Sequence, residues 1–314
     1  MSKQAEVNES ALKHLFGREL LSRMAKAIGA VYPDFDRRRF LKTISKLEDL
    51  EMKPRVRFIR DELKDLLPEK YPEALEILLS SAHSGHLNGF DLWPYTEFIQ
   101  LYGIDDPRRS LKALKVLTTK FTSEWAVRPF IKKHPQETLK FLLECASDRD
   151  THVRRWATEG TRPRLPWGER LGEFVTDPSP AFPILERLKF DPELYVRKSV
   201  SNHLNDIAKD HPKLVVEILS RWKKEAGPEN EMKIDWTIQR ALRTLIKDGH
   251  PGALGLIGVS TRSKIDFNDF NLKKKTVAMG EHLEFDFEIR STSSKSQKIV
   301  VDYVVHFMKS NRST

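Results

Sequence analysis

Apolar residues recur at helical spacing through roughly the first 260 positions. Leu12, Leu15, Phe16, Leu20 and Met24 form one such stripe, Leu111, Leu114, Leu117 and Phe121 a second, and Leu139, Leu142 and Leu143 a third. A helix burying a single face requires this spacing. Prolines punctuate the stripes, among them Pro72, Pro94, Pro107, Pro135, Pro183, Pro212 and Pro251. Many stand where a helix should begin, the position at which a missing N–H costs nothing. The pattern predicts a mainly α region over 1–262, with helices of about 10 to 18 residues joined by short loops.

Faint repetition runs through this region. Asp148-Arg-Asp-Thr-His-Val153-Arg154-Arg155 echoes Asp191-Pro-Glu-Leu-Tyr-Val196-Arg197-Lys198, with the two aspartates 43 residues apart. His211-Pro212 and His250-Pro251 are 39 residues apart, and His134-Pro135 opens an earlier stripe in the same style. A period near 40 with an Asp…Val-Arg turn fits HEAT-type helix pairs stacked into a solenoid. An ordinary helical bundle with chance echoes is the alternative. In the Asp-x5-Arg units, Arg154 and Arg197 are expected to brace the turn through the aspartate.

Beyond about residue 262 the period changes. Leu283, Phe285, Phe287 and Ile289 alternate with Glu284, Asp286 and Glu288, which predicts a half-buried strand. Ser291 to Ser296 reads as a polar loop, and Ile299 to Phe307 as a second strand. The segment 263–314 therefore looks like a hairpin opening a β-sandwich. An isolated hairpin is marginal, so it is either part of a larger domain or paired elsewhere.

Charge changes this picture only mildly. Lys and Arg number 54 against 45 Asp and Glu, a net +9 over 314 residues. That bias is compatible with a polyanionic partner without requiring one. Cys145 is the single cysteine, so an internal disulfide, a CxxC zinc site and an iron–sulfur cluster are excluded. No apolar run reaches the roughly 20 residues of a membrane helix, and the N-terminus lacks a secretory h-region. A cytoplasmic protein is expected.

Residues 148–173, DRDTHVRRWATEGTRPRLPWGERLGE, stand apart. A helix from about Thr151 should stop at Gly160. A stiff basic loop then carries Arg162, Pro163, Arg164, Pro166 and Trp167. With the preceding HVRRWAT, the run EGTRPRLPWG resembles the AlkC branch of the AlkC/AlkD HEAT-like-repeat superfamily of bacterial DNA alkylation-repair glycosylases. Ser123-Glu-Trp-Ala-Val-Arg-Pro-Phe130, the stretch Val196 to Pro212 and Arg240-Ala-Leu-Arg-Thr-Leu245 resemble further elements of that family. The likeness spans roughly residues 8 to 308. It implies a HEAT-like solenoid over 1–262, followed by the start of an immunoglobulin-like domain at 263–314.

The resemblance also implies an activity: excision of cationic alkylated bases, chiefly 3-methyladenine and 3-methylcytosine, from duplex DNA. Such a base leaves with a weakened glycosidic bond and a cationic, oxocarbenium-like sugar. The enzyme then needs negative charge near that sugar and a water to trap it, but no metal and no cofactor. Glu159, Asp206 and Glu124 stand at the family's carboxylate positions. Glu159 lies about 200° from Ala157 on a helical wheel, and Asp206 about 200° from Leu204, so both are expected to point away from the apolar core and, on neighbouring solenoid helices, could meet on the concave face. Glu124 follows Ser123, a plausible N-cap, and is expected in a first helical turn. Each acid has the bland alternative of an ordinary solvated carboxylate.

Trp167 and Trp125 are the aromatic candidates, because an indole face attracts a cationic base. Their alternative is to pack in the core, where Trp156 is expected. Arg162 and Arg164, with Lys198, Arg243 and Lys247, are candidate phosphate contacts, sequence-tolerant and salt-sensitive. No lysine presents itself as a Schiff-base nucleophile, so a monofunctional glycosylase leaving an abasic site is expected. The chain is expected to act as a monomer. A non-catalytic HEAT-repeat DNA-binding scaffold would share the arginines without needing the acids. A protein-binding adaptor would instead show an apolar groove.

Overall fold

Proline starts the helices, as the sequence pattern predicts. Pro72, Pro94, Pro107, Pro129, Pro135, Pro183, Pro212 and Pro251 each occupy the first or second helical position in the computed structural model. The structure describes residues 12–260 and 262–306. It divides into two compact units, Met1–Asp210 and His211–Thr314.

The first unit contains α1 (Arg18–Val31), α2 (Arg37–Lys42), α3 (Ile44–Leu47), α4 (Met52–Leu66), α5 (Tyr71–His83), α6 (Trp93–Tyr102), α7 (Pro107–Thr118), α8 (Arg128–Lys133), α9 (Pro135–Cys145), α10 (Thr151–Gly160), α11 (Gly172–Thr176), α12 (Phe182–Leu188) and α13 (Leu194–Ala208). Packing follows chain order closely. α1 meets α2 and α5, α4 meets α6, α7 meets α9, and α10 rests on α9, α12 and α13. Trp93, Tyr95, Phe98, Phe130 and Trp156 are buried between them. Trp156 is thus in the core, as expected. The first stripe is broken, however. Leu12 and Leu15 lie exposed in a 3₁₀ turn, and only Phe16, Leu20 and Met24 are buried, because α1 begins after Gly17.

The repeat echo has a structural meaning. Asp150 caps α10 by accepting from the His152 and Val153 amides. Arg154 donates to the backbone carbonyls of its own turn, Asp148 and Arg149, and Arg197 does the same to Asp191 and Pro192. The arginines brace the turn through carbonyls rather than through their own aspartates. The aspartate carboxylates serve the neighbouring repeat instead: Asp148 receives Lys115 at 2.6 Å, and Asp191 receives Arg154 in a two-point contact at 2.7 and 3.1 Å.

The second unit holds α14 (Pro212–Glu225), α15 (Glu231–Ala241), α16 (Arg243–Lys247) and α17 (Pro251–Leu256), with α14 packed on α15 and α17. β1 (Ile265–Leu272) and β2 (Phe285–Ser291) form an antiparallel pair in which Phe267 faces Ile289 and Leu272 faces Phe285. The strand predicted around Leu283–Ile289 is present as β2, but its partner precedes it. The segment 299–306 forms no strand, and Phe307 lies outside the described residues. An irregularity between Asn268 and Asn271, with Asp269 at φ 52°, breaks the alternation of β1 and hides it from a period-two reading. The chain is mainly α with a short C-terminal β pair, as the sequence predicts.

Candidate active site

α10 and α13 bring Glu159 and Asp206 to one guanidinium. Arg162 Nη1 donates to Glu159 Oε2 at 2.9 Å, and Arg162 Nε donates to Asp206 Oδ2 at 2.9 Å. The bland alternative for both is an ordinary solvated carboxylate. Instead, Glu159 is 4% exposed and Asp206 3% exposed. The reason lies in the loop after α10. Thr161 turns the chain back by donating to the Ala157 and Thr158 carbonyls, so the polar side of the last helical turn is roofed by its own continuation. Gly160 lets the end of α10 approach the turn before α8, since a Cβ there would meet Val127 Cγ1 at 2.6 Å. Each acid gives one oxygen to Arg162. The second oxygens make longer contacts, Glu159 Oε1 to Arg155 at 3.7 Å and Asp206 Oδ1 to Lys209 at 3.5 Å.

Glu124 joins the same cluster from the other side. It lies in the turn before α8, not in a helix, and Ser123 donates to the Leu114 carbonyl rather than capping. Glu124 Oε2 accepts from Arg155 at 2.8 Å and from the Thr122 hydroxyl at 2.7 Å. Burial pushes the Glu124 carboxyl above its usual range against the pull of Arg155, and Glu159 adds to the rise. Three carboxylates are thus bonded by two guanidiniums, that of Arg162 buried and that of Arg155 half-buried. A cavity of about 220 Å³ lined by Thr122, His152, Arg155 and Tyr195 opens at this end of the cluster.

Arg128 holds the Pro-rich loop from beneath. It is fully buried, with Nη1 donating to the Gly160 and Arg162 carbonyls and Nε to that of Glu169. The loop is thereby pinned at both ends, and Trp167 stands at its tip with φ 62°, unusual for a residue with a side chain. The Trp167 carbonyl accepts from Lys53 at 2.6 Å. Its indole is 51% exposed, nearly parallel to Trp93 and 6.2 Å from Trp125, whose Nε1 donates to the Pro166 carbonyl. Both predicted tryptophans therefore meet in one aromatic group, with Trp93 as an unpredicted third.

The predicted cations are placed unequally. Arg162 is no phosphate clamp: it is buried, and its guanidinium is engaged by the two acids. Arg164 is part-exposed and makes a two-point pair with Asp210. Lys198 is exposed on α13, and Arg243 and Lys247 are exposed on α16 in the second unit. Sequence reading missed Arg155, Arg128 and Trp93. The doubled arginine of HVRRWAT and the arginine of SEWAVRPF were the available signals for the first two. Among the described residues no group of His, Cys, Asp and Glu could hold a metal ion, and no helix is long and apolar enough to cross a membrane.

A helical stack presenting a buried acid–arginine cluster beside a basic, tryptophan-tipped loop defines a class that comparison makes specific. The model of the DNA alkylation repair enzyme family matches residues 111–245, and that of the YhaZ C-terminal Ig-like domain matches residues 266–314. The uncharacterized protein YhaZ of Bacillus subtilis (strain 168) is 40% identical over 301 residues, covering 95% of this chain and 82% of that one. The alkylpurine DNA glycosylase AlkC of Pseudomonas fluorescens, solved bound to DNA containing an abasic site analog, is 38% identical with a TM-score of 0.88, covering 96% of this chain and 83% of its own. The chain belongs to the DNA alkylation repair enzyme family.

Proposed function

We propose that this protein is a monofunctional DNA glycosylase that hydrolyses the N-glycosidic bond of cationic alkylated bases, 3-methyladenine and 3-methylcytosine, in duplex DNA. The observation that carries the reading is the convergence of Glu159 and Asp206 on Arg162, with Glu124 linked through Arg155. Its similarity to an enzyme solved on abasic-site DNA supports it.

The chemistry follows from charge. As the alkylated base departs, positive charge passes to the sugar. Buried carboxylates act on that charge through a low effective dielectric, and their orientation is set before reaction, so little reorganisation is needed. Arg162 fixes Glu159 and Asp206 by one oxygen each and leaves Oε1 and Oδ1 for the sugar and for the water that traps it. Glu124 adds a third anion on the cavity side. Arg162 is therefore a positioning residue. Trp167 and Trp125 supply indole faces for the cationic base, and Arg164, Lys198, Arg243 and Lys247 contact phosphates. A monomer acts on DNA in the cytoplasm, leaves an abasic site, and needs no cofactor.

The test is direct. Glu159→Gln and Asp206→Asn should bind methylated duplex DNA like wild type yet lose most release of free 3-methyladenine, measured by chromatography of the liberated base. Wild-type release by either variant removes the role given to that carboxylate. Salt-sensitive DNA binding with no release by the wild-type protein would favour a DNA-binding scaffold.

A further inference from the structure

We infer that Lys209 is a cap on Asp206 that DNA removes: in the free protein its ammonium stands by Asp206 Oδ1, and on the duplex it turns to a backbone phosphate beside the reacting sugar. The inference rests on the glycosylase reading for the role of Asp206. It adds a residue outside the arginine pairs and gives it a partner, one phosphate flanking the lesion nucleotide.

Asp206 meets two cations of unlike character. Arg162 Nε reaches Oδ2 at 2.9 Å, and both side chains are buried. Lys209 Nζ stands 3.5 Å from Oδ1, and 45% of its side chain is exposed. A half-exposed lysine at that distance forms a weak, screened pair that a second anion can take over. Arg162 therefore sets the acid, whereas Lys209 only covers it.

The neighbouring cations are committed elsewhere. Lys53 donates to the Trp167 carbonyl, Lys132 pairs with Glu169, and Arg164 makes its two-point pair with Asp210. None of these three touches an oxygen of the acid cluster. Arg155 does stand 3.7 Å from Glu159 Oε1, but it is anchored on Glu124 at 2.8 Å and lies over the Tyr195 ring. Among the described residues Lys209 has no such second anchor. A cation at the C-terminal end of α13 also suits the helix dipole. That role needs only the charge and is indifferent to DNA.

The position supplies the phosphate. Each sugar of a DNA strand sits between two phosphates, with about one negative charge per 3.4 Å of axis on each strand. A carboxylate facing the lesion's sugar thus has a phosphate close by on either side. An ammonium on a flexible four-carbon stem, three residues along the same helix, can turn to one of them. The exchange has a chemical use. While Lys209 covers Oδ1, its charge opposes the positive charge arising on the sugar. Once a phosphate draws it off, Oδ1 acts at full strength, and only with DNA in place.

The experiment uses intact protein and duplexes carrying one 3-methylcytosine, with the phosphate on the 3′ or the 5′ side of the lesion replaced by an uncharged methylphosphonate. With wild type, one of the two replacements should slow single-turnover release of the base by about tenfold at saturating protein, because Lys209 stays on Asp206. Lys209→Met and Lys209→Gln should release base from that duplex and from the all-phosphate duplex at rates within about twofold of each other. Lys209→Arg should keep the wild-type discrimination. Binding is read by fluorescence anisotropy on the matching duplexes with an abasic-site analogue. There the same replacement should weaken wild type by about tenfold and Lys209→Met by less than about twofold. A helix-dipole role alone predicts that wild type and Lys209→Met respond alike to both replacements. That result, or wild-type release unaffected by either replacement, overturns the inference and leaves the glycosylase standing. Coupled binding with no release from any duplex removes the cap together with the glycosylase reading.

Discussion

Arg162 Nε lies 2.9 Å from Asp206 Oδ2, and the same guanidinium reaches Glu159 Oε2 at 2.9 Å. One planar fork thus spans α10 and α13. Only arginine offers donors in this arrangement, whereas a lysine ammonium is a single point charge. Removing a partner from a buried ionic group leaves uncompensated charge, at a cost of roughly 3–5 kcal/mol. Arg162→Met should therefore lower the free energy of urea unfolding at neutral pH by that order. Arg162→Lys should recover part of the stability, yet release modified base more slowly than wild type at temperatures where it is folded. Full activity in Arg162→Lys would show that fork geometry is not what positions the acids.

His203 gives a prediction in pH. It is fully buried between α10 and α13, with Nδ1 3.1 Å from the Thr158 carbonyl. Burial, with Arg162 nearby, pulls its pKa down from 6.5 to about 3. The unfolded chain protonates near 6.5 and the folded protein near 3. The stabilising contribution is thus complete above 6.5 and is lost as pH falls toward 3, at up to about 1.4 kcal/mol per unit. His203→Asn retains a donor for Thr158 and cannot titrate. Between pH 7.5 and 5.0 wild type should lose about 2 kcal/mol more than this variant in chemical denaturation. Equal losses would mean that His203 binds its proton alike in both states.

Much of this was legible along the chain, and the failures share a physical cause. The limits of α10, the proline starts and the buried stripe of α13 follow from local rules. The wheel set Glu159 and Asp206 off the apolar core, where they do meet, but it could not show their burial, because a carboxylate buried against arginine looks polar to it. Arg162 looked like a phosphate ligand for the same reason. Arg128 escaped notice because what defines it is distant: it serves carbonyls 32 to 41 residues away. β1 was missed because its irregularity sets Phe267 and Phe270 three apart. The apolar run after Ile299 was over-read, since β-branched residues alone do not supply a pairing partner.

The two inter-repeat corners should differ in weight. Asp191 and Arg154 are largely buried and doubly bonded, whereas Lys115 and Asp148 are partly in solvent. Asp191→Ala should cost roughly 3–5 kcal/mol. Lys115→Ala should cost no more than about 1 kcal/mol. Urea midpoints at one pH compare them directly, and neither folded variant should change single-turnover release by more than about twofold, because the corners touch no reacting group. Similar costs at the two corners would show that burial does not set the strength of these staples.

Salt dependence separates the exposed cations. Each phosphate neutralised adds about 0.9 to the slope of log affinity against log salt on duplex DNA. Lys198 is exposed, so Lys198→Ala should flatten the slope by about that amount and weaken all sequences alike. Arg164 differs because Asp210 already holds it at 2.7 Å. Its charge is partly cancelled before DNA arrives, and Arg164→Ala should flatten the slope by less than about 0.9. Asp210→Asn should act in the opposite direction. Freed from its carboxylate, Arg164 offers a whole charge to the backbone, so affinity rises and the slope steepens, by up to about 0.9. Fluorescence anisotropy with an undamaged duplex from 50 to 200 mM salt, on the order used for such slopes, reads all three. If Asp210→Asn leaves the slope where it was, Arg164 touches no phosphate and its pairing with Asp210 is only a brace for the loop.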